Sequence, residues 1–363
     1  MFKSGRRKPE QSSSDQDIDF KFVTLGEVRL EKGIKKTNDT TFPRAILRGP
    51  GIYSALGARI LAGSDGAKEI GFVARQGLNV QFLTLPHDLR NLCMKWGVHF
   101  HDDTNIYQWN AHVDVSTRPG MDEYLVQYYR RENHYPSIES FKETPLIKSP
   151  VFQLSQTPQH VKELIAAIRP LNPEAKFIWE PAPELIDKRD IPLFKQVCND
   201  ISILYIEAFS LMTLSCESPS TEITQEYIAN LVSRLWLPHI HDRDGAVIVR
   251  SRSEGFWICR KNVHQDSWIT WLPTYHDSPE STFNHPGAGS AFLGALAYAM
   301  SGQGKGIMDA AKSAVVAASF VVEQESFPVL RERSILRRKE KWNAETVESR
   351  VEKYQKKLDQ YGL

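Results

Sequence analysis

The chain has 363 residues, with 45 lysines and arginines against 44 aspartates and glutamates, so its formal charge is +1. Hydrophobic residues make up 41% and charged residues 25%, ordinary values for a globular protein of one large domain or two smaller ones. The near-neutral total excludes a surface that is one continuous nucleic-acid-binding field, and the longest apolar run, around Ala314–Val322, is about half the ~18–20 residues of a membrane helix.

Residues 1–18, with Gly5-Arg6-Arg7-Lys8-Pro9 and Ser12-Ser13-Ser14, read as a disordered tail without the apolar core of a signal peptide. Its basic cluster is a weak nuclear signal. A strand is expected over Phe20–Gly26, after which Arg48-Gly49-Pro50-Gly51 opens a helix carrying Ala55, Leu56, Ala58, Ile60 and Leu61. Ile70–Ala74 reads as a short buried strand, whereas residues 100–149 are polar and aromatic-rich with no clear period. His160–Ile168 has helical spacing, and Lys176–Trp179 is a strand bounded by proline. Asp200–Ala208 and Ala246–Arg250 are further strands, preceded by helices at Ile191–Cys198 and Ile223–Leu235. Strands alternating with helices predict βαβ units and a mainly parallel sheet. At the end, Val347, Val351, Tyr354, Leu358 and Tyr361 form one apolar stripe of a helix expected to pack against the body.

The neutral charge conceals an uneven distribution. Residues 1–18 carry four basic and three acidic groups, residues 19–330 carry 31 and 35, and residues 331–363 carry ten and six. The expected organisation is therefore a tail over 1–18, a mildly acidic body over 19–330 and a basic amphipathic helix over 331–363. Cys93, Cys198, Cys216 and Cys259 are scattered without a C-x-x-C pair, as reduced thiols of the cytosol or nucleus would be. His99-x-His101-Asp102 and His239-x-His241-Asp242 resemble each other and could place two imidazoles on one strand face. Neither brings a well-spaced third ligand, so strand-edge histidines are the expected reading and no metal ligand is assigned.

The most informative stretch is His285-Pro286-Gly287-Ala288-Gly289-Ser290, which runs into Ala291-Phe292-Leu293-Gly294-Ala295-Leu296-Ala297. Two glycines beside a helix start let backbone N–H groups approach an anion unobstructed by Cβ atoms. The partial positive charge of the helix end completes a phosphate cradle at Gly287, Ala288, Gly289 and Ser290. Ala291, Gly294, Ala295 and Ala297 then allow close helix packing. The plainer alternative is a glycine-rich turn before a buried helix.

This stretch resembles the C-terminal signature of the PfkB/ribokinase carbohydrate kinases, roughly D-T-x-G-A-G-D followed by a small-residue helix. Arg48–Ala55 resembles the same family's N-terminal Gly-Gly motif, which places Gly49 and Gly51 against the sugar. More narrowly, Gly51–Arg59, Trp179-Glu180-Pro181, Ala317–Gln324 and Trp342-Asn343 resemble a fungal branch that includes the yeast "maintenance of killer" protein. The resemblance spans residues 19–330 and implies a ribokinase-like three-layer α/β/α sandwich with a mainly parallel sheet. It also implies a small lid drawn from the first 150 residues, residues 100–145 among them.

The departures from the family pattern concern chemistry. The family's general base is the Asp of G-A-G-D, which takes the proton of the sugar hydroxyl as that oxygen attacks the γ-phosphate; Ser290 stands there instead. Losing a general base costs typically ~10²–10⁴ in rate, while backbone positioning and charge stabilisation survive. Asn284 replaces an upstream Asp, Arg48 the first glycine of the Gly-Gly pair, and Tyr53 a following Asn. The Mg²⁺-organising N-x-x-E stretch is reduced to Glu207, and no sugar-contacting Asp is evident in Glu27–Glu31.

These losses imply a pseudokinase that binds a sugar, nucleoside or nucleotide and acts through protein or ribonucleoprotein partners, with no membrane association. ATP and Mg²⁺ are the cofactors the resemblance brings, and killer double-stranded-RNA particles are the process it names. The alternative is an active ATP-dependent sugar or nucleoside kinase with a substitute base, for which His285 is a candidate. A third reading is an interaction protein whose basic tail contacts RNA. Cytoplasm, or else the nucleus, is the expected location.

Overall fold

The computed structural model describes residues 18–35, 46–74, 89–102, 112–117, 124–130, 135–181, 186, 188–216, 223–240, 242, 245–251, 254–261, 268–277, 287–324, 327–331 and 340–363. In chain order the first elements are β1 (Phe22–Thr24), β2 (Arg29–Lys35), β3 (Ile46–Arg48), α1 (Pro50–Gly66), β4 (Ile70–Ala74), α2 (Leu89–Trp96) and β5 (His99–Asp102). Then come β6 (His112–Thr117), β7 (Tyr124–Arg130), α3 (Ile138–Phe141), β8 (Val151–Leu154), α4 (Pro158–Ile168), β9 (Lys176–Trp179) and α5 (Ile191–Cys198). They are followed by β10 (Ile203–Glu207), α6 (Ala208–Leu214), α7 (Gln225–Leu235), β11 (Ala246–Arg250), β12 (Phe256–Arg260) and β13 (Ile269–Leu272). The last are α8 (Ala288–Ser301), α9 (Ile307–Val322), β14 (Leu330–Arg331), β15 (Lys341–Trp342) and α10 (Val347–Gln360).

A nine-stranded sheet runs in the order β13-β12-β11-β10-β9-β8-β1-β4-β5. Its strands are parallel from β5 to β11, and β12 and β13 are antiparallel. Central parallel strands are covered on both faces and so are apolar throughout, as in Phe177-Ile178-Trp179, Ile203-Leu204-Tyr205-Ile206 and Ala246-Val247-Ile248-Val249. Alternate side chains enter two cores. Ile178, Ile203, Tyr205 and Ile248 meet α1, α8 and α9 on one face, while Phe177, Leu204, Ile206 and Val247 meet α4, α5 and α7 on the other. This is the three-layer sandwich the sequence predicts.

Local signals account for several helix starts. Thr157 and Thr224 accept hydrogen bonds from the amides of His160 and Tyr227, and Pro158 occupies the first helical position of α4. A second, antiparallel sheet has the order β3-β2-β7-β6. It pairs Arg29–Lys35 with Ile46–Arg48 and Tyr124–Arg130, and the last with His112–Thr117, so strands occur inside a stretch without a visible period; six or seven residues are too few to display one.

The C-terminal stripe is only partly buried. Tyr354 and Leu358 enter the core beside α9, but Val351 and Tyr361 are 42% and 53% exposed. Arg350 is buried in place of a hydrophobe, with its guanidinium over the Phe320 ring and hydrogen-bonded to Ser319, Glu323 and Glu345. Lys353 and Lys357 are ion-paired to Glu345 and Asp277, so much of this helix's basic charge is used within the molecule.

Candidate functional site

The N-termini of α1 and α8 meet the carboxyl ends of parallel strands, with Gly51 against Gly26 and Gly289 beside Glu180, Tyr205 and Arg250, the position at which open α/β sheets bind ligands. A buried polar layer fixes the ends of β1 and β8. The Thr24 hydroxyl donates to the Gln153 side chain, the Glu27 amide to Ser155 Oγ at 3.2 Å, and the Ser155 amide to Gln156 Oε1 at 2.9 Å. The Glu27 and Arg48 side chains are also buried here.

Gly49 caps α1 with a φ of 130°, a conformation that favours glycine. Gly51 donates its amide to the Glu27 carbonyl at 3.2 Å, and a Cβ on it would run into the Gly26 backbone and the Phe72 ring. Both glycines are therefore required by the backbone. One helical turn on, Tyr53 lies against Gly287, and Ser54 Oγ donates to the Ser290 carbonyl at 3.0 Å. The starts of α1 and α8 are thus in direct contact.

Gly287 is the N-cap of α8, and Ala288, Gly289 and Ser290 form its first turn. Ser290 is 5% exposed, and its hydroxyl donates to Glu180 Oε2 at 2.7 Å. A Cβ on Gly289 would stand 3.0 Å from the Tyr205 hydroxyl and 3.4 Å from both Arg250 Nε and Glu180 Oε1. Arg250 Nη2 lies 3.6 Å from Glu207 Oε1. Four side chains from three neighbouring strands, Glu180, Tyr205, Glu207 and Arg250, therefore gather at the first turn of α8. The Tyr205 hydroxyl and Arg250 Nε are buried with no hydrogen-bond partner among the described residues. Burial raises the Tyr205 phenol far above its usual pKa, so it stays protonated. Burial alone would lower Arg250, but its neighbours, the Glu207 and Glu180 carboxylates among them, outweigh it and keep the guanidinium charged.

No protein-family model matches the chain. A Schizosaccharomyces pombe protein described as uncharacterised is 26% identical over 361 residues, covering 93% of each chain. Among solved structures, ribokinase from Giardia lamblia superposes with a TM-score of 0.65 at 14% identity, covering 94% of this chain and 99% of that one. The fold is that of ribokinase. Adenosine kinase from Schistosoma mansoni in complex with 2-fluoroadenosine gives 0.64 at 14% identity, covering 86% and 98%. Arabidopsis thaliana ribokinase complexed with ribose and ATP gives 0.58 at 16%, covering 85% and 95%.

In this ribokinase-like frame, the start of α1, which holds Gly49 and Gly51, touches the start of α8 at residues 287–290. The sequence reading needs one addition: although Ser290 replaces an acid, the fold returns a carboxylate, that of Glu180, to within a hydrogen bond of that position. Glu180, within the Trp179-Glu180-Pro181 resemblance, and Arg250 carry no site signal of their own because they come from separate strands. The available signal was a charged residue directly after an apolar strand, as in Phe177-Ile178-Trp179-Glu180 and Val247-Ile248-Val249-Arg250. Asn284, His285, Pro286 and His241 lie outside the described residues. His101 Nε2 is 2.8 Å from the Ser140 carbonyl and His99 packs edge-on against Phe20, structural positions for that pair.

The group this fold implies at the α8 end is a nucleotide phosphate. The Glu180 carboxylate already stands against that turn, hydrogen-bonded to the Ser290 hydroxyl, so the arrangement does not fit a further anion there. Nor does any cluster of three His, Cys, Asp or Glu side chains suited to a metal occur among the described residues.

Proposed function

We propose that the chain is a pseudokinase on a ribokinase-like scaffold, one that binds a sugar or nucleoside at the starts of α1 and α8 and acts through protein partners. The observation that carries this reading is the Ser290 hydroxyl, which donates a hydrogen bond to Glu180 Oε2 at 2.7 Å. A hydroxyl committed as a donor, and barely acidic or basic near neutral pH, does not abstract a proton from a substrate. The Glu180 oxygen nearest Ser290 is in turn occupied by this hydrogen bond. A role with killer double-stranded-RNA particles in the cytoplasm is retained as what the fungal resemblance implies. The RNA-contacting tail draws no support from α10, whose Arg350, Lys353 and Lys357 are paired within the molecule.

A second reading has one observation in its favour. The Glu180 carboxylate, a hydrogen bond from the family's base position, would serve as the substitute base of an active kinase. Incubation of purified protein with Mg-ATP and a panel of sugars and nucleosides separates the two. The pseudokinase reading expects no phosphoryl transfer by wild type. Turnover that falls ~10²–10⁴-fold in Glu180→Gln, the usual loss for a general base, would establish the active kinase instead.

A further inference from the structure

We propose that Glu180 is the built-in anion of the α8 cradle, a specificity-determining residue that excludes phosphate-bearing ligands from the helix end. The first turn of a helix presents unsatisfied N–H groups and a partial positive charge, and it attracts whichever anion reaches it. Here a carboxylate of the chain itself reaches that turn, through the Ser290 hydroxyl. One oxygen of Glu180 accepts the Ser290 hydroxyl at 2.7 Å, and the other lies 3.4 Å from the point where Gly289 lacks a Cβ.

The surroundings are those of an anion site with its anion supplied. The Tyr205 hydroxyl is 3.0 Å from the same point and Arg250 Nε is 3.4 Å from it. Both atoms are buried without a hydrogen-bond partner among the described residues, and the Tyr205 residue is only 2% exposed. A phenol, a guanidinium and a serine hydroxyl thus gather at a helix N-terminus, and among the described residues the carboxylates beside them are Glu180 and, at 3.6 Å from Arg250, Glu207. A phosphate entering the turn would meet Glu180 at short range in a partly water-excluded site, where like charges repel strongly. Removing that one charge leaves the donors unopposed and converts the seat from anion-excluding to anion-binding.

The proposal rests on the pseudokinase reading only for the location of the seat. Its test is calorimetric titration of the full chain with inorganic phosphate and with ADP, without metal, comparing wild type with Glu180→Gln and Ser290→Ala. Glu180→Gln is expected to bind ADP at least tenfold more tightly than wild type. Ser290→Ala, which removes a donor but keeps the charge, is expected to stay as weak as wild type. Equal affinities for wild type and Glu180→Gln, or weaker binding by the variant, overturn the proposal. If a melting curve shows that Glu180→Gln does not fold, wild type decides. Submillimolar binding of inorganic phosphate that Ser290→Ala weakens overturns the proposal, and its absence supports it. Phosphoryl transfer by wild type would remove the pseudokinase reading without altering the affinity order, and an unfavourable affinity order without transfer would remove only this proposal.

Discussion

Replacing buried Gly294 of α8 by alanine is expected to destabilise the protein by about 1–3 kcal/mol, the usual range for overpacking. The sign is what makes the prediction informative, because alanine in a helix interior is ordinarily favoured over glycine by about 1 kcal/mol. The local geometry reverses that preference. A Cβ on Gly294 would run into the Ser54 backbone, and one on Gly57 into the Ala291 backbone. The two helices therefore touch main chain to main chain, each supplying the glycine that the other's peptide needs. Either alanine pushes the helices apart, and a second then meets less resistance. The Gly57→Ala/Gly294→Ala double variant is accordingly expected to lose less than the sum of the single losses. Urea denaturation midpoints measure this, and a neutral or stabilising Gly294→Ala would contradict the packing account. The same displacement would disturb the Ser54–Ser290 hydrogen bond and move the first turn of α8 away from Glu180.

Arg350→Ala is expected to cost about 3–5 kcal/mol, the loss typical of breaking a buried ion pair from one side. Arg350 is 3% exposed and binds Glu323 at 2.7 Å, Glu345 at 3.0 Å and the Ser319 hydroxyl at 2.8 Å. Its removal leaves Glu323 with His276 and Asn343 as its remaining polar contacts. The network also sets an acid limit. Burial alone would raise the Glu323 pKa, but hydrogen bonds from His276, Arg350 and Asn343 outweigh it and hold the group at about 2, below its ordinary 4.5. Between those values the unfolded chain binds a proton that the folded protein does not. The contribution is therefore complete above pH 4.5 and is lost as pH falls toward 2. Glu323→Gln should flatten the pH dependence of stability in that window, as denaturant midpoints taken at successive pH values would show. An unchanged slope would contradict the assignment.

Different parts of the molecule were legible in the sequence for different physical reasons. Ile70–Ala74, Lys176–Trp179 and Ala246–Arg250 are strands at the predicted residues, and α5 spans the predicted Ile191–Cys198. Fully covered parallel strands must be apolar without interruption, and that signal survives in a single sequence. The start of α8 at Gly287–Ser290 was legible because glycine and proline there break into a run of small apolar residues. The cluster facing it was not, since Glu180, Tyr205 and Arg250 are brought together only by the order of β9, β10 and β11. The C-terminal stripe misled in part because helical periodicity identifies a face without saying how far its partner extends. Val351 and Tyr361 lie beyond that contact, and Arg350 is drawn inward by three acceptors.

A crystal structure of the full chain grown with ADP and inorganic phosphate would show directly what occupies the first turn of α8. The predicted result is the Glu180 carboxylate seated on the Ser290 hydroxyl, with no phosphorus density at residues 287–290. A phosphate held there by the backbone amides, with Glu180 turned away, would contradict it.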